Sequence, residues 1–280
     1  MKPLSICVAV FGLVALVQPV RHLDVAGMVL GVVALLSAVA TYSSTRISSF
    51  LKIFIGVFAV ETIVFGLAVV AGRVGLWPAA RADLLPPAPR PGAVLVDLGC
   101  GAGLLAPHAA RLGYRHVGVD LVAVSLGIAA EHGVRPVRGD VQRLPIADEV
   151  ADAVSAGEIL EHVPDLSAAL AEACRVLRPG GTLVLDTIAN TRLAKLITVT
   201  IAERIPGGAP PGIHDPALFV DRRRLVAEAA RHGVRLTLTG MRPPLVGMVR
   251  WLAHRDPDPR MRPTRPTSVL FQGHGIKEGT

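Results

Sequence analysis

The stretch VLVDLGCGAG, residues 94–103, decides the fold. Ala93–Asp97 reads as a buried strand, glycines follow at Gly99, Gly101 and Gly103, and Leu104–Leu112 reads as a helix. A strand, a glycine turn and a helix in direct succession open an α/β unit. A dinucleotide fingerprint would carry its third glycine at position 104, which is Leu104 here, so the turn does not read as a phosphate cradle. An acid, Asp97, instead ends the strand beside bare backbone. A carboxylate in that place suits a cationic amine.

The same unit repeats outward. His116–Asp120, Val134–Arg138, Ala151–Ala156 and Thr182–Thr187 read as further strands, with helices over Ala123–His132 and Leu166–Leu177. Arg235–Thr239 and Val269–Gln272 read as late strands. Strict alternation predicts an α/β fold, a mostly parallel sheet of seven strands with helices on both faces. Asp120 ends the second strand 23 residues after Asp97, where a carboxylate can grip a ribose diol. Asp140 follows the third strand in RGDVQRLP. One such acid reads as a loop residue; three, each just past a successive parallel strand, form a specific pattern.

On these residues the sequence resembles the Rossmann-like class I S-adenosylmethionine (SAM) methyltransferases. DLGCGAG, HVGVDL, RGDVQRLP and LRPGGTLVL occur in order over about 93–187. The resemblance implies that Gly99, Gly101 and Gly103 let the backbone approach SAM, with Asp97 near its methionine end. It implies that Asp120, followed by Leu121, binds the ribose hydroxyls, and that Asp140 and Val141 flank the adenine. SAGEILEHVPD, from Ser155, and TIANTRLAKLITVTIAERIPGGAPPGIHDPALFV, from Thr187, resemble the ubiquinone-biosynthesis O-methyltransferases. Those enzymes methylate a phenolic or catechol hydroxyl on a polyprenylated ring, and the likeness then extends over about 93–273. The chain departs from their pattern near its end. Where the family commonly has Tyr-Asn-Pro after Gly-Met or Gly-Leu, Gly240-Met241 is followed by Arg242-Pro243-Pro244.

Glu158, Glu161 and His162 are spaced i, i+3, i+4. On a helical turn such side chains share a face, and two carboxylates with an imidazole can hold a divalent cation. In the resembled family this triplet is a magnesium site, and magnesium beside a catechol lowers the hydroxyl pKa. The other reading is a pocket wall without metal, in which Glu158 also faces the cofactor and Glu158 and His162 serve the reaction. His214, in PPGIHDPALF, is the candidate general base; the alternative is a cap on a helix starting near Pro216. His108, His116 and His132 read as surface residues without an acid partner.

Composition divides the chain. It is 51% hydrophobic and 18% charged, with mean hydropathy +0.50, which excludes long disorder. Residues 1–77 carry only Lys2, Arg21, Asp24, Arg46, Lys52, Glu61 and Arg73 as charges. Leu4–Val20, Leu23–Tyr42 and Ile53–Leu76 are apolar runs, of a length that crosses a bilayer core about 30 Å thick. A membrane anchor of about three helices over 1–77 is therefore expected, then a Pro-rich linker over 78–92 and the methyltransferase domain over 93–280. Glu61 lies within the third run, either a functional group at depth or a protonated acid bonded to a neighbouring helix. Arg21, Arg73, Arg81 and Arg90 would lie inside, and a cytosolic cofactor puts the catalytic domain on the cytoplasmic side. The net charge of +7 is spread without a basic block bearing interleaved aromatics, so no nucleic-acid partner is expected. Cys7, Cys100 and Cys174 form no CxxC pair, which argues against a disulfide framework or a zinc site.

Residues 191–206, TRLAKLITVTIAERIP, read as an amphipathic helix, either core-facing or laid into the membrane interface; Leu245–Leu252 would be a second contact. The sequence thus predicts a membrane-anchored SAM-dependent methyltransferase acting on a hydroxyl of a lipophilic, polyprenyl phenol- or quinone-like acceptor drawn from membrane lipid. The alternatives are methylation of carbon or carboxylate on another lipid, or a non-catalytic SAM-binding regulator.

Overall fold

The computed structural model describes residues 76–201, 203, 212–242 and 261–279. These fall into two units: 76–196, 214–242 and 261–279 form the larger, and 197–201, 203 and 212–213 belong to the smaller. In the smaller unit the Gly212 N–H donates to the Glu203 carboxylate at 2.8 Å.

The larger unit is built on one eight-stranded sheet. Its strands are β1 (Val94–Leu98), β2 (Arg115–Asp120), β3 (Arg135–Arg138), β4 (Ala151–Gly157), β5 (Leu177–Ile188), β6 (Thr237–Arg242), β7 (Arg262–Thr264) and β8 (Leu270–Ile276). They lie in the order β3-β2-β1-β4-β5-β8-β6-β7. β1 to β5 are parallel, while β8, β6 and β7 run antiparallel to their neighbours. The chain builds outward from β1 to β3 and then returns to place β4 on the other side of β1. That reversal is the switch point at which open α/β sheets bind ligands, beyond the strands' carboxyl ends. All seven expected strands are present; β7, of three residues, is additional.

The central strands read as apolar runs because both their faces are covered. Leu95, Leu98, Val154, Leu183 and Leu185 are all sealed from solvent. Helix α4 (Leu166–Val176) buries Leu166, Ala169, Leu170, Ala173 and Val176, an i, i+3, i+4 stripe. Asp165 caps it, accepting from the N–H groups of Ser167 and Ala168. Helices α2 (Ala106–Arg111) and α3 (Ala123–Glu131) connect the first three strands.

Two local expectations are corrected. The Pro-rich stretch does not begin as a linker at residue 78: α1 runs over Leu76–Ala82. Pro78 lies in its first turn, where a missing N–H costs nothing, and Ala79, Ala80, Arg81, Ala82 and Leu85 are buried. The amphipathic segment is not one α-helix either. Thr191 caps α5 (Arg192–Lys195), and a π-helical turn over Leu196–Ile201 follows. Leu193 and Leu196 are exposed while Ile197 is buried.

Apart from Leu76, the three expected spans lie outside the described residues, as do Glu61, Pro243, Pro244 and Leu245–Leu252. Among the described residues no helix is long and apolar enough to cross a membrane.

Gly103 has φ +76°, and a Cβ there would stand 2.9 Å from Val134 Cγ2 and 3.0 Å from Ala129 Cα. Gly101 has φ +51° with nothing within 4 Å of the same position. Chemical denaturation should therefore find Gly103→Ala the worse of the two, at roughly 3 kcal/mol against about 1 for Gly101→Ala.

Candidate active site

The carboxyl ends of β1 and β2 and the glycine turn make one wall. Asp97, at the end of β1, is buried; its Oδ2 lies 3.2 Å from His116 Nε2, and its Oδ1 has no partner among the described residues. Gly99 turns the chain at φ +66°, and a Cβ there would fall 2.7 Å from the Ile159 side chain. Asp120 ends β2 and spans the turn: Oδ2 accepts from the Gly101 N–H at 2.9 Å and Oδ1 from the Val122 N–H at 2.8 Å. Each oxygen keeps a lone pair for a further donor. Leu121 beside it is 62% exposed. Past β3, Asp140 Oδ1 accepts from the Gln142 N–H at 2.8 Å, and Val141 is buried. The Gly139 N–H donates to the Asp120 carbonyl, which joins this third corner to the second.

The opposite wall stands at the ends of β4 and β5. Asp186 is fully buried, and Arg81 of α1 reaches it through Nε at 2.5 Å and Nη2 at 3.0 Å. Burial works against charge on both groups. The guanidinium, with Asp186 against it, is nonetheless held above the ordinary arginine range. Glu158 has φ +49°, and its N–H donates to Asp186 at both the carbonyl (2.9 Å) and Oδ1 (3.1 Å). Desolvation at the strand ends, then the charges of Asp186 and Glu161, push the Glu158 carboxyl up. Its surface is open to solvent, which screens the effect.

The magnesium triplet does not assemble. Only Leu160–His162 form a helical turn, of the tight 3₁₀ kind, and Glu158 precedes it in a left-handed conformation. The spacing i, i+3, i+4 therefore does not put the three side chains on one face. Glu161 points inward, 2% exposed, and accepts from Thr187 Oγ1 at 2.7 Å. His162 is exposed and stacks on His214, with ring centroids 5.8 Å apart and an interplanar angle of 19°. Among the described residues no group of three His, Cys, Asp or Glu side chains is placed to hold a metal ion.

His162 and His214 thus meet, with Phe219 set edge-on against His214 at 6.3 Å. Partial burial, then the charge of His214, pushes the His162 imidazole down, and the exposed edge of the ring leaves that effect screened by solvent. His214 caps no helix: Asp215 makes a turn by accepting from the Ala217 N–H, and the next helix, α6 (Arg222–Arg231), is capped by Asp221.

His116 is not a surface residue. It is 6% exposed and has an acid partner from the adjacent strand. His132 Nδ1 bonds the Ala102 carbonyl, and His108 pairs with Arg111. Sequence reasoning also missed Arg81 and Asp186. The signal for Asp186 was available, since it closes a strand just as Asp97 and Asp120 do. Arg81 had none, because its partner lies 105 residues away.

Residues 96–185 match the family model described as a methyltransferase domain. The chain is 36% identical over 184 residues to a ubiquinone biosynthesis O-methyltransferase of Methylobacterium sp. (strain 4-46), covering 62% of this chain and 72% of the relative. It belongs to the SAM-dependent methyltransferases. A second relative, the mitochondrial ubiquinone biosynthesis O-methyltransferase of Rattus norvegicus, is 30% identical over 204 residues, 69% of this methyltransferase and 56% of the rat enzyme. It thus spans little more than half of that relative's length. In fold it is similar to a SAM-dependent methyltransferase of Thermotoga maritima described as a possible histamine N-methyltransferase. The TM-score is 0.53 at 18% identity, over 74% of this chain and 93% of that one. A SAM-dependent methyltransferase of Mesorhizobium loti matches at TM-score 0.52 and 20% identity, over 72% and 97%.

The cofactor is SAM, and two observations in this methyltransferase fit it. Asp97 keeps a buried oxygen without a donor, as an acid meant for a ligand's ammonium would. Gly101 leaves its backbone bare where a Cβ would meet nothing within 4 Å.

Burial pushes the Glu161 carboxyl up to about 7, against the pull of its Thr187 bond. The folded state therefore binds a proton that the unfolded chain has released above a pKa of about 4.5. This contribution to stability is full below that value and lost as pH rises toward 7. Thermal melts should show wild type losing stability from pH 5 to pH 8, by about 1–3 kcal/mol. Glu161→Gln, which keeps an acceptor for Thr187 without a charge, should remove most of that slope.

Proposed function

We propose that this methyltransferase is membrane-anchored and transfers the methyl group to a hydroxyl of a lipophilic acceptor, a polyprenyl phenol or quinone precursor. The observation that carries the reading is the stacked His162–His214 pair at the same carboxyl ends as the cofactor acids. Methylating a hydroxyl releases one proton, and two imidazoles side by side are suited to take it at working pH. The relatives named for ubiquinone biosynthesis support the acceptor class.

When bound, SAM supplies an electrophilic methyl on a sulfonium centre. The chain's own residues bind and align. Asp97 Oδ1 would accept from the ammonium, the Gly99–Gly103 backbone would lie along the cofactor, Asp120 with Leu121 would take the ribose, and Asp140 with Val141 would border the adenine. Glu158 would sit between cofactor and acceptor. His214 accepts the hydroxyl proton, and His162, stacked on it, holds its ring in place. The apolar sequence of residues 1–77 supports the anchor, and its loop charges support a cytoplasmic methyltransferase unit. Exposed Leu193 and Leu196 would face the lipid from which the acceptor comes.

Membranes incubated with methyl-labelled SAM should yield label in the lipid extract, and His214→Ala should lower that turnover about 100-fold without weakening SAM binding. Asp120→Ala should weaken SAM binding by about 1–3 kcal/mol in calorimetry. The full chain should stay with the membrane pellet after alkaline carbonate washing. SAM binding with no S-adenosylhomocysteine formed on any lipid extract would instead identify a regulator.

A further inference from the structure

We propose that His116 is a positioning residue for Asp97, its Nε2–H holding one carboxylate oxygen so that the other faces the cofactor's ammonium. The inference rests on the reading that Asp97 receives the cofactor's ammonium.

His116 and Asp97 come from neighbouring parallel strands, and the side chain of each is 3% exposed. Gly118 stands opposite Asp97 in register and puts no side chain between them. One carboxylate oxygen takes His116 Nε2 at 3.2 Å; among the described residues the other is buried with no partner, as is His116 Nδ1. A carboxylate shut from water is costly unless its oxygens are bonded, so the pair is half complete and leaves one defined place for a donor.

With its hydrogen on Nε2 the imidazole donates to Oδ2, orients the carboxylate and leaves Oδ1 for an incoming ammonium.

Titration calorimetry of the full chain with SAM at pH 7.5 tests this. His116→Gln, which keeps an N–H for Asp97, should bind within about threefold of wild type. His116→Leu, which cannot donate, should bind about tenfold more weakly, and if it does not fold His116→Met takes its place. Wild-type affinity in a folded His116→Leu or His116→Met, or the same loss in His116→Gln as in His116→Leu, would overturn the proposal. Asp97→Asn separates this from the ammonium reading. If it leaves SAM affinity unchanged, the ammonium reading of Asp97 fails and the proposal with it. If it weakens binding while the folded apolar variant at 116 binds as wild type, only the role of His116 falls.

Discussion

A guanidinium and a carboxylate, both closed off from water, hold this site together. Asp186 accepts two bonds from Arg81 and one from the Glu158 N–H. Removing one member of such a pair leaves an uncompensated buried charge, which costs about 3–5 kcal/mol. The pair does more than stabilise. It brings a helix from outside the sheet onto the ends of β4 and β5, and it fixes the turn at Glu158 from which Ile159 reaches across to Gly99. The cofactor wall and the acceptor wall thus share one anchor.

The segment leading into β1 is fastened at its other end as well. Asp152, at the amino end of β4, accepts from Arg90 at 2.9 Å and from the Val94 N–H at 2.8 Å, and Arg178 closes on its second oxygen. Between these fastenings the Tyr114 hydroxyl donates to the Pro86 carbonyl. Residues 81–94 therefore form a strap running from the carboxyl ends of the strands to their amino ends. Its prolines suit that task, because a segment with few backbone donors lies along the domain without leaving N–H groups unsatisfied.

What was legible in the sequence was what chain-local periodicity encodes. Buried runs such as Leu95–Leu98 and Leu183–Leu185 announce parallel strands, and an acid closing a strand announces a ligand group, which is how Asp97, Asp120 and Asp140 were found. The Glu158–Glu161–His162 triplet was misread because i, i+3, i+4 means one face only where the backbone is helical, and φ +49° at Glu158 breaks that premise. The acid partner of His116 comes from the adjacent strand, so no spacing reports it. Arg81 was hidden among prolines, of which only Pro78 lies in α1 while Pro86, Pro87, Pro89 and Pro91 follow it, and by a partner a hundred residues downstream.

Gly157 has a role that its place at the end of β4 does not suggest. A Cβ there would coincide with the Arg81 guanidinium, within 2 Å of three of its atoms. The charge lies flat on bare backbone, so positions 81 and 157 are not independent under natural variation. A lineage that acquires any side chain at 157 loses the seat of the arginine, and Asp186 is then left buried without a counter-charge. The three positions are physically coupled, so a change at one alters what the other two can hold.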